Sequence, residues 1–191
     1  MIAALPLGAA LATGLLDAAC LGLQAAGHHV RVQRLDGGTF AGVMSPDEHH
    51  AYHSDTPIIS DEVQRQVDDL RWANELVFVY ETDWAGLPAV MKGWLERTMV
   101  PGVAFVLDER TNKVRRNLTH IRRITGITYA TNSRLRTRLS GDGGRRTIRR
   151  ALRMICSWHT RTTWLALYAA DFGSEERRAR FVRRVERAFV R

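Results

Sequence analysis

The sequence predicts a doubly wound α/β fold, a parallel sheet with helices on both faces, and three observations carry that prediction. Five short segments that read as strands alternate with segments whose apolar residues recur at helical spacing. One of them, Glu75 to Tyr80 (ELVFVY), is continuously apolar after its first residue, the pattern of a strand buried on both faces of a parallel sheet. The chain has 191 residues, a single-domain length that buries roughly 70% of the unfolded surface, so residues 1–191 are expected to share one core.

The first strand is Ile2 to Leu5, and a helix follows from about Ala9 to Ala26, stopped by Gly27. This apolar stretch does not read as a signal peptide, because it has no basic start, Pro6 breaks it early and Asp17 lies inside it. Pro6, Gly8, Gly14 and Asp17 also interrupt any run of about 20 apolar residues that could span a membrane. His28 to Leu35 reads as a second strand, ended by Asp36-Gly37-Gly38. Residues 36–60 show no sustained period and are expected to be loop. Ser60-Asp61-Glu62 then caps a helix over about Glu62 to Ala73, with Val63, Val67 and Leu70 on its inner face. After the third strand, Glu75 to Tyr80, a helix starts around Gly86-Leu87-Pro88 and runs to Met99, where Pro101-Gly102 closes it. His120 to Tyr129 is the fourth strand, Gly143 to Cys156 a basic helix, Thr162 to Ala169 the fifth strand and Ser174 to Val190 the last helix. That helix has Glu175 and Glu176 at its positive end and Phe181, Val185 and Phe189 on one stripe. Ligands of such sheets bind beyond the strand C-terminal ends, where the winding direction reverses.

The net charge of +8 is unevenly spread: residues 1–106 hold 6 basic and 13 acidic side chains, residues 107–191 hold 22 and 7. Such asymmetry raises nucleic-acid or anionic-ligand binding. The densest stretch, Arg134, Arg136, Arg138, Arg145, Arg146, Arg149, Arg150 and Arg153, runs around its helix with no interleaved aromatic, which makes nucleic acid an unlikely partner. One or two of these arginines could instead read the phosphate of a nicotinamide dinucleotide; most fit a solvated helix surface. Gly141-Asp142-Gly143-Gly144 is not a phosphate-binding P-loop, since no Lys-Ser or Lys-Thr follows it. Cys20 and Cys156, the two cysteines, sit in apolar segments and suit a reducing cytoplasm. His49, His50 and His53 invite a metal reading, but no cysteine partners them and a solvated polar loop is commoner, so no metal is expected.

Residues 76–105, LVFVYETDWAGLPAVMKGWLERTMVPGVAF, carry a run that resembles the flavodoxin-like NAD(P)H:quinone oxidoreductase family. The similarity lies in Trp84, Gly86, Pro88, Ala89, then Lys92-Gly93-Trp94-Leu95-Glu96-Arg97, then Pro101, Gly102 and Phe105, and weaker likeness extends along nearly the whole chain. The resemblance implies a five-stranded flavodoxin-like sheet, an FMN or FAD cofactor, NAD(P)H as electron donor, a small-molecule substrate such as a quinone, which His53 or Tyr52 could touch at the active-site rim, and a homodimer that completes each site. It places the flavin phosphate at Pro6 to Ala12, with Pro6, Ala10 and Ala12 as contacts, the ring at Glu81 to Gly86, with Thr82, Trp84, Ala85 and Gly86, and a covering loop at Thr128 to Ser133, with Thr128, Tyr129 and Asn132.

The chain departs from the family at these loops. Leu5-Pro6 stands where relatives have His-Pro, and Ala9 and Ala10 stand where they have a hydroxyl residue, so two polar phosphate contacts are lost. Glu81 and Asp83 put two carboxylates beside the expected ring, where negative charge disfavours an anionic reduced flavin. Three readings stay open. The chain is a flavin oxidoreductase; or its pocket is reused for flavin-independent acid/base chemistry, with Glu81, Asp83 and Tyr129 as the catalytic candidates; or it is non-catalytic, a remnant or a binder of anions or nucleic acid through the C-terminal arginines.

Overall fold

A computed structural model of the chain describes residues 1–190 except 7, 37, 39, 53, 55, 58, 59, 109, 110 and 112. Its centre is a parallel sheet formed by β1 (Ile2–Ala4), β2 (Gln33–Arg34), β3 (Glu75–Glu81), β6 (Arg123–Ala130) and β7 (Arg161–Tyr168), in the order β2-β1-β3-β6-β7. The winding therefore reverses between β1 and β3, whose register pairs Ile2 with Phe78 and Ala4 with Tyr80. The five-stranded, doubly wound sheet expected from the sequence is the one observed.

Alternate residues of β3 feed two cores, as the period-two geometry of a strand requires. Leu76, Phe78 and Tyr80 face one, with Val63 and Val67 of α3 (Asp61–Trp72), Met91 and Trp94 of α4 (Ala89–Thr98), and Ile148. Val77 and Val79 face the other, with Leu15 and Ala19 of α1 (Ala10–Ala25) and Phe181 and Val185 of α8 (Glu175–Arg187). Gly22 lets α1 and α8 touch: a Cβ there would lie 2.3 Å from the Glu186 carbonyl oxygen. Gly126 similarly accepts the Trp164 ring, which a Cβ would meet at 2.5 Å.

Several boundaries differ from the sequence reading. The stretch expected to be loop contains α2 (Pro46–Ala51), started by a full capping box in which Ser45 and Glu48 satisfy each other's backbone N–H. At six residues it is too short for periodicity to reveal. β2 has shrunk to Gln33–Arg34 because it is an edge strand that meets only the three residues of β1. An antiparallel hairpin, β4 (Phe105–Asp108) and β5 (Lys113–Arg116), and a short helix, α5 (Arg134–Leu139), were not anticipated. The basic helix is three pieces: α6 (Gly143–Arg146), a π-helical turn (Thr147–Ala151) and α7 (Leu152–Met154). The π turn brings Ile148 fully inside against β6, a local widening of a kind that recurs near functional sites. Among the described residues no helix is long and apolar enough to cross a membrane.

Candidate functional site

The three loops singled out by the sequence follow the C-terminal ends of β1, β3 and β6, and the first two flank the reversal between β1 and β3. A cleft of about 520 Å³ opens there, lined by Leu5 and Pro6 after β1, Glu81 and Asp83 at the end of β3, Asp36 after β2, and Pro88 and Val90 at the start of α4. Asp36 joins the other two carboxylates because β2 lies beside β1, an adjacency that sequence spacing does not encode. Its Oδ2 accepts from the Arg34 guanidinium at 2.7 Å.

The β3–α4 connection is a tight turn. Trp84 and Ala85 have φ of 45° and 57°, and the Gly86 N–H donates to the Asp83 carbonyl at 2.7 Å, which together define a type I′ turn. Such turns favour Asn and Gly; two residues with Cβ atoms here cost about 1–2 kcal/mol each. What holds the turn is the Gly141-to-Gly144 segment. The Gly143 N–H donates to the Ala85 carbonyl at 2.7 Å, and at Gly144 a Cβ would stand 2.6 Å from the Tyr80 hydroxyl. The Gly-Asp-Gly-Gly motif is thus a clamp on the turn.

Glu81 is tied to the neighbouring strand. The Tyr129 hydroxyl donates to Glu81 Oε2 at 3.1 Å across the β3–β6 pairing, where the two residues are in register. Burial, followed by the Glu81 charge and that hydrogen bond, holds the Tyr129 phenol far above its ordinary pKa, so it acts as a fixed donor. Thr82 and Thr128 share a hydrogen bond between their hydroxyls at 2.7 Å, and the Thr82 N–H donates to the Tyr129 carbonyl at 2.8 Å. These four residues form one strand-end network.

The other candidates are placed less uniformly. Pro6 is exposed on the cleft and Ala10 is exposed in the first turn of α1, whereas Ala12 is fully buried and can offer a ligand only its backbone. The N-terminus of α1 has Ala9 as its cap and no side-chain hydrogen bond there, and Gly8 has φ +75° with open space around it. The first turn of this 16-residue helix therefore offers backbone N–H groups and no side-chain donor. Asn132 is exposed, and its carbonyl accepts from the Ala169 N–H at 2.9 Å. Trp84 is 98% exposed, so within one chain it walls nothing.

The histidine loop resolves differently from its expected role. His49 and His50 are exposed on α2, while Glu48 before them is buried and paired with Arg97 at 2.6 Å. His53 lies outside the described residues, and Tyr52 is half-buried against the core. Among the described residues no group of three or more His, Cys, Asp or Glu side chains could hold a metal.

The fold is that of a flavodoxin-type α/β protein, and the cleft lies at the reversal point of its sheet. A family model described as flavodoxin-like fold matches residues 1–187, and the chain belongs to that family. Among solved structures, an NAD(P)H:quinone oxidoreductase from Methanothermobacter marburgensis is similar at 21% identity and TM-score 0.80, covering 99% of this chain and 94% of that one. The Smu.1420 protein of Streptococcus mutans UA159 is similar at 17% identity and TM-score 0.80, covering 100% and 99%. An FMN-dependent NADH-azoreductase from Bacillus anthracis str. Ames Ancestor, solved in complex with FMN, is similar at 13% identity and TM-score 0.69, covering 98% and 94%. No curated protein sequence matches the chain.

Proposed function

We propose that the chain is an NAD(P)H-dependent flavin oxidoreductase acting on quinones or similar small electrophiles. The observation that carries this reading is the strained type I′ turn at Trp84-Ala85, clamped by Gly143 and set at the reversal point of a flavodoxin-like sheet. Strain held in place by surrounding structure is characteristic of ligand sites. The quinone oxidoreductase and the azoreductase named above support the same chemistry, as does the resemblance in residues 76–105.

The residues present fit a flavin, with a reduced grip on its phosphate. The backbone at Gly8 to Ala12 and the positive end of α1 would hold the phosphate without help from a hydroxyl. Pro6 and the turn residues Thr82 to Gly86 would border the ring, with Thr128, Tyr129 and Asn132 beyond it. Two of the three carboxylates at the cleft already have donors, Glu81 from Tyr129 and Asp36 from Arg34, which damps the negative field the sequence placed there. Once bound, a flavin supplies hydride transfer from the nicotinamide to the acceptor. The protein's own contribution is to orient and exclude water, with Tyr129 fixing the Glu81 carboxylate.

A homodimer belongs to the same proposal. Trp84, Leu135, Leu139 and Phe172, all more than half exposed, follow the C-terminal ends of β3, β6 and β7, the end at which a second copy would cover them. The cysteines, both free, suit the cytoplasmic setting that we infer for such an enzyme.

Titration with FMN and FAD, followed by thermal unfolding, tests the reading: ligand at 100 times its Kd stabilises by about 2.7 kcal/mol. Absence of any shift with either flavin, in a protein that is folded, overturns it. A second reading is favoured by one observation, the Tyr129–Glu81 hydrogen bond beside Asp83 in the same cleft: flavin-independent acid/base catalysis. Turnover that survives flavin removal but is lost in Glu81→Gln would select it.

A further inference from the structure

The cleft is lined by none of the C-terminal arginines, and six of them gather at the opposite end of the sheet. A groove of about 630 Å³ runs between the outer strand β7 and α8, and six of its nine lining residues are arginines. Arg123 and Arg161 are the first residues of β6 and β7, so they mark the strand N-terminal ends, away from the cleft. Arg180, Arg183, Arg184 and Arg187 recur at helical spacing and project along one face of α8. Thr163, Leu165 and Ala188 complete the lining, so among the described residues no carboxylate enters it.

We propose that this groove is a binding site for a linear oligophosphate, a ligand with consecutive phosphate groups. Three elements converge on it with the same charge, and repulsion among these guanidiniums is a cost that a bound polyanion would relieve. Only Arg123 has an acidic partner, Glu75 at 3.7 Å; among the described residues Arg161, Arg180, Arg183, Arg184 and Arg187 form no ion pair. Glu176 shares the α8 face but lies one turn before Arg180, outside the lining. The negative end of the α8 dipole accounts for arginine in its last turn, and an outer strand is often guarded by charge. Neither accounts for Arg123, Arg161 and Arg180 facing the same space. The guanidinium fork matches phosphate oxygens in pairs, and the groove's size is that of a small-ligand pocket. No aromatic side chain lines it, so bases would find nothing to stack on and the phosphates are the part recognised.

The test is calorimetric titration of the full chain with inorganic tripolyphosphate and, separately, orthophosphate, at low and high salt. Tripolyphosphate should bind at least about tenfold more tightly than orthophosphate, and less tightly as salt rises. The double variant Arg183→Gln/Arg187→Gln and the single variant Arg161→Gln, each checked for native circular dichroism, should weaken binding by about tenfold or more. Arg134→Gln/Arg136→Gln, on α5, should not. Equal affinity for the two phosphates, or equal loss in the α5 variant, overturns the site in favour of diffuse charge. Tighter retention of a single-stranded DNA oligonucleotide than of a polyphosphate of equal charge overturns the ligand class. A dimer that dissociates in the groove variants assigns the surface to a second copy instead. The flavin titration reports on the other end of the sheet, so either proposal can fail alone.

Discussion

Arg97 shows how a single residue organises the shoulder of the site. It is 6% exposed and reaches Glu48 at 2.6 Å, the Ala41 carbonyl at 2.6 Å, Glu62 at 3.4 Å and the face of Phe40. Removing one partner of such a buried pair leaves the other charge unmatched, so Arg97→Ala or Glu48→Ala should cost about 3–5 kcal/mol in urea unfolding. Burial opposes the Glu48 charge, but the hydrogen bonds from Arg97 and Ser45 outweigh it and the carboxyl pKa is lowered. A lowered native pKa means the unfolded chain binds the proton first as pH falls. The contribution is therefore complete above the ordinary carboxylate range and fades as pH drops through the native value. Glu48→Gln should flatten that acid limb in a stability-versus-pH series. Burial also raises the Cys156 thiol to about 11, so native protein should react slowly with a thiol reagent at neutral pH while unfolded protein reacts fast. Tyr129 offers the site's own test: Tyr129→Phe removes the donor to Glu81 and should weaken flavin binding while preserving the fold. At this scale the candidates Glu81, Thr82, Thr128 and Tyr129 could be named from sequence, but their mutual hydrogen bonds depend on the β3–β6 register.

Among the elements, the tight contacts are made where side chains are missing. Gly22→Ala would drive a Cβ into the Glu186 carbonyl on α8 and should destabilise by about 1–3 kcal/mol, measured by denaturant midpoint. The turn after β3 behaves in the reverse sense. Ala85→Gly relieves a left-handed conformation and should raise stability by up to about 1 kcal/mol, while loosening the clamp that shapes the ring site and so weakening flavin binding. The long helices α1, α3, α4 and α8 and the central strands were legible because apolar spacing repeats over several turns or residues. Shorter pieces were not. α2 is set by its capping box, and β4 with β5 by mutual pairing, and neither leaves a period long enough to read. The π turn was hidden for a different reason: its sequence is compatible with an ordinary helix, and packing of Ile148 on β6 decides the ladder.

For the molecule as a whole, one group of exposed apolar side chains marks the cleft end of the sheet and one group of arginines the opposite end. Trp84 at 98% and Phe172 at 84% exposure sit at the cleft end, and the arginine groove lies at the other. If a second copy covers the cleft end, sedimentation should show a dimer that Trp84→Arg weakens without altering helix content. The chain itself determined the order of its five sheet strands and long helices, the doubly wound class and the loops at the C-terminal ends of β1, β3 and β6, because periodicity, caps and the 76–105 motif are local properties of sequence. Only the tertiary structure decided that Asp36 joins Glu81 and Asp83, that the glycines at 143 and 144 clamp the Trp84-Ala85 turn, and that Arg123, Arg161 and the α8 arginines face one groove. Those are contacts between residues distant in the chain, fixed by which strands become neighbours and by the faces they turn to the helices, and no local pattern carries that information.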